Sequence, residues 1–159
     1  MTTLTLQFLG AAGTVTGSKH LLAIEDRELL IDCGLFQGPK QWRVKNWEPF
    51  PLPLKNLDAV ALTHAHLDHS GFVPRLISQG FHGPVYCSRP TADLLGILLP
   101  DAGHLQEEDA AFANKRGGAS TVGITCSSGG PFGGRIVSLL RHVPAENEAA
   151  AEFWAVDTT

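Results

Sequence analysis

Nine consecutive residues, Thr63-His64-Ala65-His66-Leu67-Asp68-His69-Ser70-Gly71, constrain this chain more than any other stretch. They place three histidines and one aspartate within six positions. Four such fixed positions coincide by chance in about one chain per thousand of this length. Imidazole and carboxylate are zinc ligands, and a catalytic zinc takes about three protein ligands plus an open position. H-x-H-x-D-H therefore carries enough donors to begin two sites.

The flanks say what kind of backbone delivers these donors. Leu57 to Thr63 is a short apolar run with the length of a buried strand. After Ser70, apolar residues at Phe72, Val73, Leu76 and Ile77 follow helical spacing and stop near Gly80. The histidine run is thus a strand-to-helix loop at the carboxyl end of a buried strand, where α/β proteins place their chemistry. In such a loop His64 and His66 can face one point, and Asp68 and His69 a second point nearby. A water bridging two metals there would become a hydroxide nucleophile.

Upstream, Leu4, Leu6 and Phe8 alternate with Thr5 and Gln7, the period of a strand. The small-residue stretch Gly10 to Ser18 lacks G-x-G-x-x-G spacing, which argues against a dinucleotide site. It reads equally as a tight turn or as a place of close approach. Lys19 to Glu25 and Glu28 to Asp32 read as two further strands around a polar turn, completing an antiparallel meander. Asp32 then stands at the end of a buried strand, where a carboxylate needs partners. It reads either as a turn cap or as a group that orients the histidine loop from behind.

Gly38 to Leu57 is rich in proline and aromatic residues and reads as a covering loop with a short helix. Its cations Lys40, Arg43 and Lys45 alternate with Trp42 and Trp47, most simply as a solvated loop. Pro84 to Ser88 reads as a strand. Ala92 to Leu99 and Ala102 to Lys115 read as two helices separated or kinked at Pro100. His20, His82 and His104 read as surface or packed histidines.

The chain has 159 residues, enough for one domain, with 43% hydrophobic and 18% charged residues. A net charge of −4 excludes a general nucleic-acid binder, which carries a basic face, but leaves room for an enzyme meeting RNA locally. Cys33, Cys87 and Cys126 are widely spaced and odd in number, which points to reduced thiols and a cytoplasmic setting. Met1 to Gly10 lacks the pattern of a signal peptide, and no apolar run is long enough to span a bilayer.

The meander, the Asp32 strand end and the histidine loop together resemble the metallo-β-lactamase fold superfamily. F-L-G-A-A-G-T-V-T-G-S, L-L-I-D-C-G-L-F-Q-G, N-W-E-P, L-T-H-A-H-L-D-H-S-G and L-P-D-A-G-H-L-Q-E-E-D-A resemble its β-CASP branch of RNA-processing nucleases, from about Leu4 to Asn114. The resemblance implies an αββα sandwich and two zinc ions. It implies His64 and His66 on one zinc, Asp68 and His69 on the other, and Asp32 as the aspartate that steadies the loop. It also implies RNA phosphodiester hydrolysis by metal-bound hydroxide, with Asp68 touching that water. The helix bearing His104 to Asp109 occurs in this branch too.

The resemblance also marks what is missing. The family expects a third histidine for the first zinc, a bridging aspartate, a final histidine and a following β-CASP domain. His142 is the only later histidine, and its flanks do not match. The organisation expected is therefore the N-terminal half of the sandwich over residues 1–115 and a divergent, Gly/Ser-rich, disordered tail over 116–159. Short apolar runs at Ile136 to His142 and Ala149 to Val156 read as a strand and a helix. The abrupt loss of pattern suggests an interrupted reading frame near residue 115, with a natural short variant as the rival. Half a sandwich leaves one apolar sheet face uncovered. Such a chain is expected to aggregate, oligomerise or depend on a complementing chain, to bind its two zincs weakly, and to hydrolyse little alone. The competing functions are a hydrolase of esters, lactones or thioesters on the same fold, and an inactive or partner-dependent fragment.

Overall fold

In the computed structural model, residues 2–115, 140–142 and 153–156 are described. The expected meander forms. Strands β1 (Leu4–Gly10), β2 (Lys19–Ile24) and β3 (Arg27–Ile31) pair antiparallel in sequence order. A two-residue turn, Glu25-Asp26, joins β2 to β3, with Glu25 at φ 55°. Positive φ at this position matches the right-handed twist of the flanking strands.

β3 then pairs parallel with β4 (Leu57–Ala61), and β4 pairs parallel with β5 (Val85–Ser88). Parallel neighbours need crossovers. The first holds a short helix α1 (Lys40–Arg43) and 3-10 turns at Val44–Trp47 and Leu54–Asn56. The second holds the histidine loop, α2 (Leu67–Ser70) and α3 (Val73–Ser78). Because β3 and β4 run the same way, their carboxyl ends lie side by side. That adjacency brings Asp32 and Thr63 together.

The inward face of the sheet carries Leu21, Leu30, Val60 and Val85, aligned across four strands. These pack with Phe72, Val73, Leu76 and Phe81 from the α3 region and with Ala92, Leu95 and Leu99 from α4 (Arg89–Lys115). Leu30, Val60, Leu76 and Phe81 are fully buried. Burying side chains of this size contributes about 1.5–3 kcal/mol each.

Among the described residues the opposite face is exposed, as expected of half a sandwich. Leu4, Leu6 and Phe8 lie on it opposite Ile24, Leu22 and His20. Leu4, Leu6 and Phe8 are 61%, 51% and 57% exposed, and Ile24 is 43% exposed. The alternation in β1 thus marks a strand, but its apolar side faces outward.

Two expectations need correction. Pro100 does not divide two helices: α4 runs unbroken for 27 residues. A proline ring collides with the carbonyl four residues back and removes one hydrogen bond, costing about 3 kcal/mol. Here that residue is Gly96, with open space beside it, and Ala92, Leu95 and Leu99 pin the turns before the proline to the core. The second correction lies in the tail. β6 (Leu140–His142) forms as expected, but Phe153–Val156 is a strand, β7, not a helix. Phe-Trp-Ala-Val is aromatic and β-branched, a composition that favours strands. β7 pairs antiparallel with β5 and β6, giving the sheet order β1-β2-β3-β4-β5-β7-β6. The Gly/Ser-rich stretch after Lys115 lies outside the described residues.

Candidate metal centre

The centre is built from the ends of two parallel strands. Asp32 follows β3 directly, with φ 60°, and is 3% exposed. Aspartate tolerates this left-handed backbone better than most residues. The conformation turns the chain out of the sheet while Asp32 N–H still donates to the Ala61 carbonyl at 2.9 Å. The carboxylate is left facing the loop after β4.

Its two oxygens collect donors from three segments. Oδ1 accepts from Thr63 N–H at 2.9 Å and from Thr63 Oγ1 at 2.8 Å. Oδ2 accepts from Ser18 Oγ at 3.2 Å and lies 2.7 Å from His69 Nδ1. A buried carboxylate is stable only when so satisfied. With its proton on Nδ1, His69 leaves the Nε2 lone pair facing outward. A carboxylate behind an imidazole is the arrangement that fixes the tautomer of a metal-binding histidine.

The other donors lie nearby, in two pairs. His69 Nε2 is 3.6 Å from Asp68 Oδ2. His64 Nε2 is 3.1 Å from His66 Nδ1, while His64 Nδ1 lies 3.0 Å from the Thr63 hydroxyl. The His64 and His69 rings are 4.0 Å apart between centroids. Two nitrogens on one tetrahedral zinc, with bonds near 2.0–2.1 Å, are about 3.3 Å apart. The His64–His66 spacing therefore fits one ion, and the Asp68–His69 spacing fits a neighbouring one. The structure brings all four sequence-identified donors and Asp32 into one cluster.

Each pair supplies two donors. Among the described residues no three His, Cys, Asp or Glu side chains converge on a single point. The donor chemistry fits zinc; the count per ion stays below the three of a catalytic site.

Several supporting residues lie inside the quoted motifs, but their roles carry no ligand signal. Ser18 N–H donates to the Asp68 carbonyl at 2.9 Å, and Cys33 N–H to the His69 carbonyl at 2.7 Å. Leu35 N–H donates to the Leu67 carbonyl at 2.9 Å. Gly34 lies against the same turn: a Cβ there would fall 1.6 Å from the Asp68 carbonyl oxygen. Gly10 likewise lies against Gly17, where a Cβ would meet the Gly17 carbonyl at 1.8 Å. The small-residue stretch is therefore a place of close approach that ends by bracing the ligand loop. Inside the loop, Ser70 Oγ donates to the Ala65 and His66 carbonyls and closes the turn.

The remaining histidines stand elsewhere. His20 packs edge-on against Phe8 on the outer sheet face, and His104 pairs with Glu108 on the exposed side of α4. His82 is exposed. A surface depression of about 460 Å³ beside Thr2, Thr5, Ala23 and Glu25 is remote from the loop.

Comparison with known proteins meets this geometry. The sequence profile of the metallo-beta-lactamase superfamily matches residues 14–133. The chain belongs to the metallo-beta-lactamase superfamily. The match takes in the Asp32 strand end, the histidine loop and α4, and extends past Lys115. A ribonuclease of Thermus thermophilus is 50% identical over 99 residues, 62% of this chain and 22% of that protein. The transcription termination factor FttA of Methanocaldococcus jannaschii is 42% identical over 96 residues, 60% of this chain and 15% of that protein. This superfamily member thus spans about a fifth or less of the length of these relatives. Among solved structures, a protein of unknown function from Enterococcus faecalis overlays with a TM-score of 0.48 at 22% identity, covering 65% of this chain and 29% of that one. The expected family, and a fold limited to its N-terminal portion, are borne out, and the relatives are of the β-CASP type. No helix among the described residues is long and apolar enough to cross a membrane.

Proposed function

We propose that this chain carries the first half of the active site of a zinc-dependent, cytoplasmic RNA phosphodiesterase. Residues 1–115 form the ligand-bearing unit, and residues 116–159 are a divergent tail. The observation that supports this most is the convergence of His64, His66, Asp68 and His69 in front of Asp32. The names of the most similar relatives, a ribonuclease and a termination factor, point the chemistry toward RNA.

In this reading His64 Nε2 and His66 Nδ1 would hold one ion, and Asp68 Oδ2 and His69 Nε2 would hold the other. Zinc bound there lowers the pKa of water and polarises a phosphoryl oxygen. The chain does the rest. Asp32 keeps the proton on His69 Nδ1, and Thr63 anchors both Asp32 and His64. Asp68, partly exposed, would hold the second ion through Oδ2 and leave Oδ1 to orient the attacking water.

A second reading is favoured by two observations. The donors come in pairs instead of threes, and one apolar sheet face is open. Both suit a chain that works only with a complementing polypeptide or a second copy.

Zinc per chain, measured on size-fractionated protein beside cleavage of RNA and of small esters, tests the proposal. Weak zinc uptake that His64→Ala and His69→Ala abolish, with slow cleavage of RNA and none of esters, is expected. Zinc uptake indifferent to both substitutions overturns the metal site. Ester cleavage without RNA cleavage overturns the substrate.

A further inference from the structure

The crossover between β3 and β4 builds a second feature. A cavity of about 180 Å³ opens between this crossover and the first turn of the motif region, with Lys19, Phe36, Lys45, Glu48, Phe50 and Phe72 among its walls. Lys19 is 4% exposed. Its ammonium donates to the Gly34 carbonyl and lies 4.5 Å from the Phe72 ring centre and 4.8 Å from that of Phe36. Lys45 Nζ approaches the same Phe36 ring at 5.5 Å and the Trp42 ring at 4.6 Å. Phe36 and Trp42 stack, with 6.5 Å between centroids and 20° between planes.

Two ammonium groups therefore share one aromatic ring at one cavity, and neither makes an ion pair with a carboxylate among the described residues. Glu48 lines the cavity but lies beyond ion-pair distance of both. Aromatic faces attract cations but do not neutralise them. A buried ammonium facing rings is under-compensated, and burial pushes the Lys19 pKa down. An anion entering the cavity would supply the missing charge. The volume is below the range for drug-sized ligands, roughly 300–1,000 Å³, and suits a single tetrahedral oxyanion with part of its substituent.

The cavity also adjoins the ligand loop. Lys19 holds the carbonyl of Gly34, and the opposite side of Gly34 rests on the Asp68 carbonyl. Trp42, stacked on Phe36, and Trp47, with Arg75 over its ring at 5.5 Å, lie on the same crossover. Cations interleaved with aromatic rings are how proteins track single-stranded nucleic acid, the cations on phosphates and the rings on bases.

We propose that the Lys19–Lys45 cavity is a phosphate subsite, receiving a phosphate of an RNA strand that runs on from the His64–His69 loop. The inference rests on the RNA reading above and assigns a role to the basic, tryptophan-bearing crossover. Lys19, buried, forms the floor, and the exposed Lys45 supplies the second ammonium from over Phe36 and Trp42. Glu48, also in the lining, opposes an entering anion.

The test uses the full chain with a chelator present, so that binding is read without zinc and without cleavage. Tryptophan fluorescence reports titrations with inorganic phosphate, with a short oligoribonucleotide bearing a terminal phosphate, and with the same strand lacking it. Phosphate is expected to compete with both strands. A preference for the phosphorylated strand assigns the site to chain ends, and equal affinity assigns it to the internal backbone. The exposed Lys45→Gln variant should bind both strands about tenfold more weakly and reduce the slope of log affinity against log salt by about one. Glu48→Gln should strengthen binding. Lys19→Met, checked for folding by circular dichroism, should abolish competition by phosphate. Affinity and salt slope unchanged in Lys45→Gln overturn the inference, even if zinc-dependent cleavage persists. Phosphate binding in chelator, together with no RNA cleavage by the same chain in a separate assay with added zinc, supports the subsite and overturns the hydrolase reading instead.

Discussion

Asp32 Oδ2 and His69 Nδ1 lie 2.7 Å apart although 37 residues separate them in sequence. The pairing exists because β3 and β4 run parallel, so that their carboxyl ends deliver both residues to one edge. Asp32→Asn keeps the shape of the side chain but replaces one acceptor oxygen by a donor. Hydrogen bonds to a charged group are worth about 1.5–3 kcal/mol, so the variant should lose about that much stability. Zinc affinity should fall about 10–100-fold, as for other groups behind a ligating histidine. Chemical denaturation and zinc titration check the two effects separately.

Gly34 offers a sharper structural test. A methyl group there would overlap the Asp68 carbonyl oxygen. Gly34→Ala should destabilise the fold by about 3 kcal/mol or more, because backbone cannot yield as a side chain can. The same change at Gly13, with open space around it, should cost much less, limited to the strain of its φ of +74°. Thermal melts of the two variants side by side decide the matter.

The two sheet faces should respond oppositely to substitution. Leu76 is fully buried, and Leu76→Ala should cost about 2–5 kcal/mol. Leu6 is 51% exposed on the open face, and Leu6→Lys should change stability by no more than about 0.5 kcal/mol. If that face drives self-association, Leu6→Lys should shift the protein toward monomer in sedimentation velocity. An unchanged distribution would remove the face from the explanation.

The described cysteines should be inert in the folded chain. Burial pushes the Cys33 thiol from 9.0 up to about 12 and the Cys87 thiol up to about 11. A thiol reagent at pH 8 should label neither until the protein unfolds. The sign for stability follows from the raised values. The Cys33 contribution is fully present below pH 9.0, the value with burial removed, and is lost as pH rises through about 12. Mass spectrometry of labelled native and denatured protein provides the readout.

Much of the site was readable from local pattern. The H-x-H-x-D-H run, the buried strand before it and the helix after it follow from spacing along a single stretch. Asp32 was recognisable as a carboxylate stranded at a strand end. The contributions of Ser18, Thr63 and Gly34 were not readable, since each acts through a contact with a residue 14–34 positions away in the numbering. Each lies in a motif that resembles the family, but the motif names no role for it, and small size and polarity are features that loops share. Helix α4 shows the same limit: Pro100 predicts a break locally, and packing of Ala92, Leu95 and Leu99 overrides it.

The sequence by itself determined the family, through motifs that resemble it in order, and the meander and the four candidate donors, because periodicity and ligand spacing are local quantities. Only the tertiary structure decided that His69 turns its Nε2 outward, that the donors meet in pairs, and that Lys19 and Lys45 share a cavity. Those outcomes depend on which strands become neighbours and on how closely their backbones approach. Parallel pairing across a crossover is a long-range choice, made by burial of the whole inner face and not by any one segment.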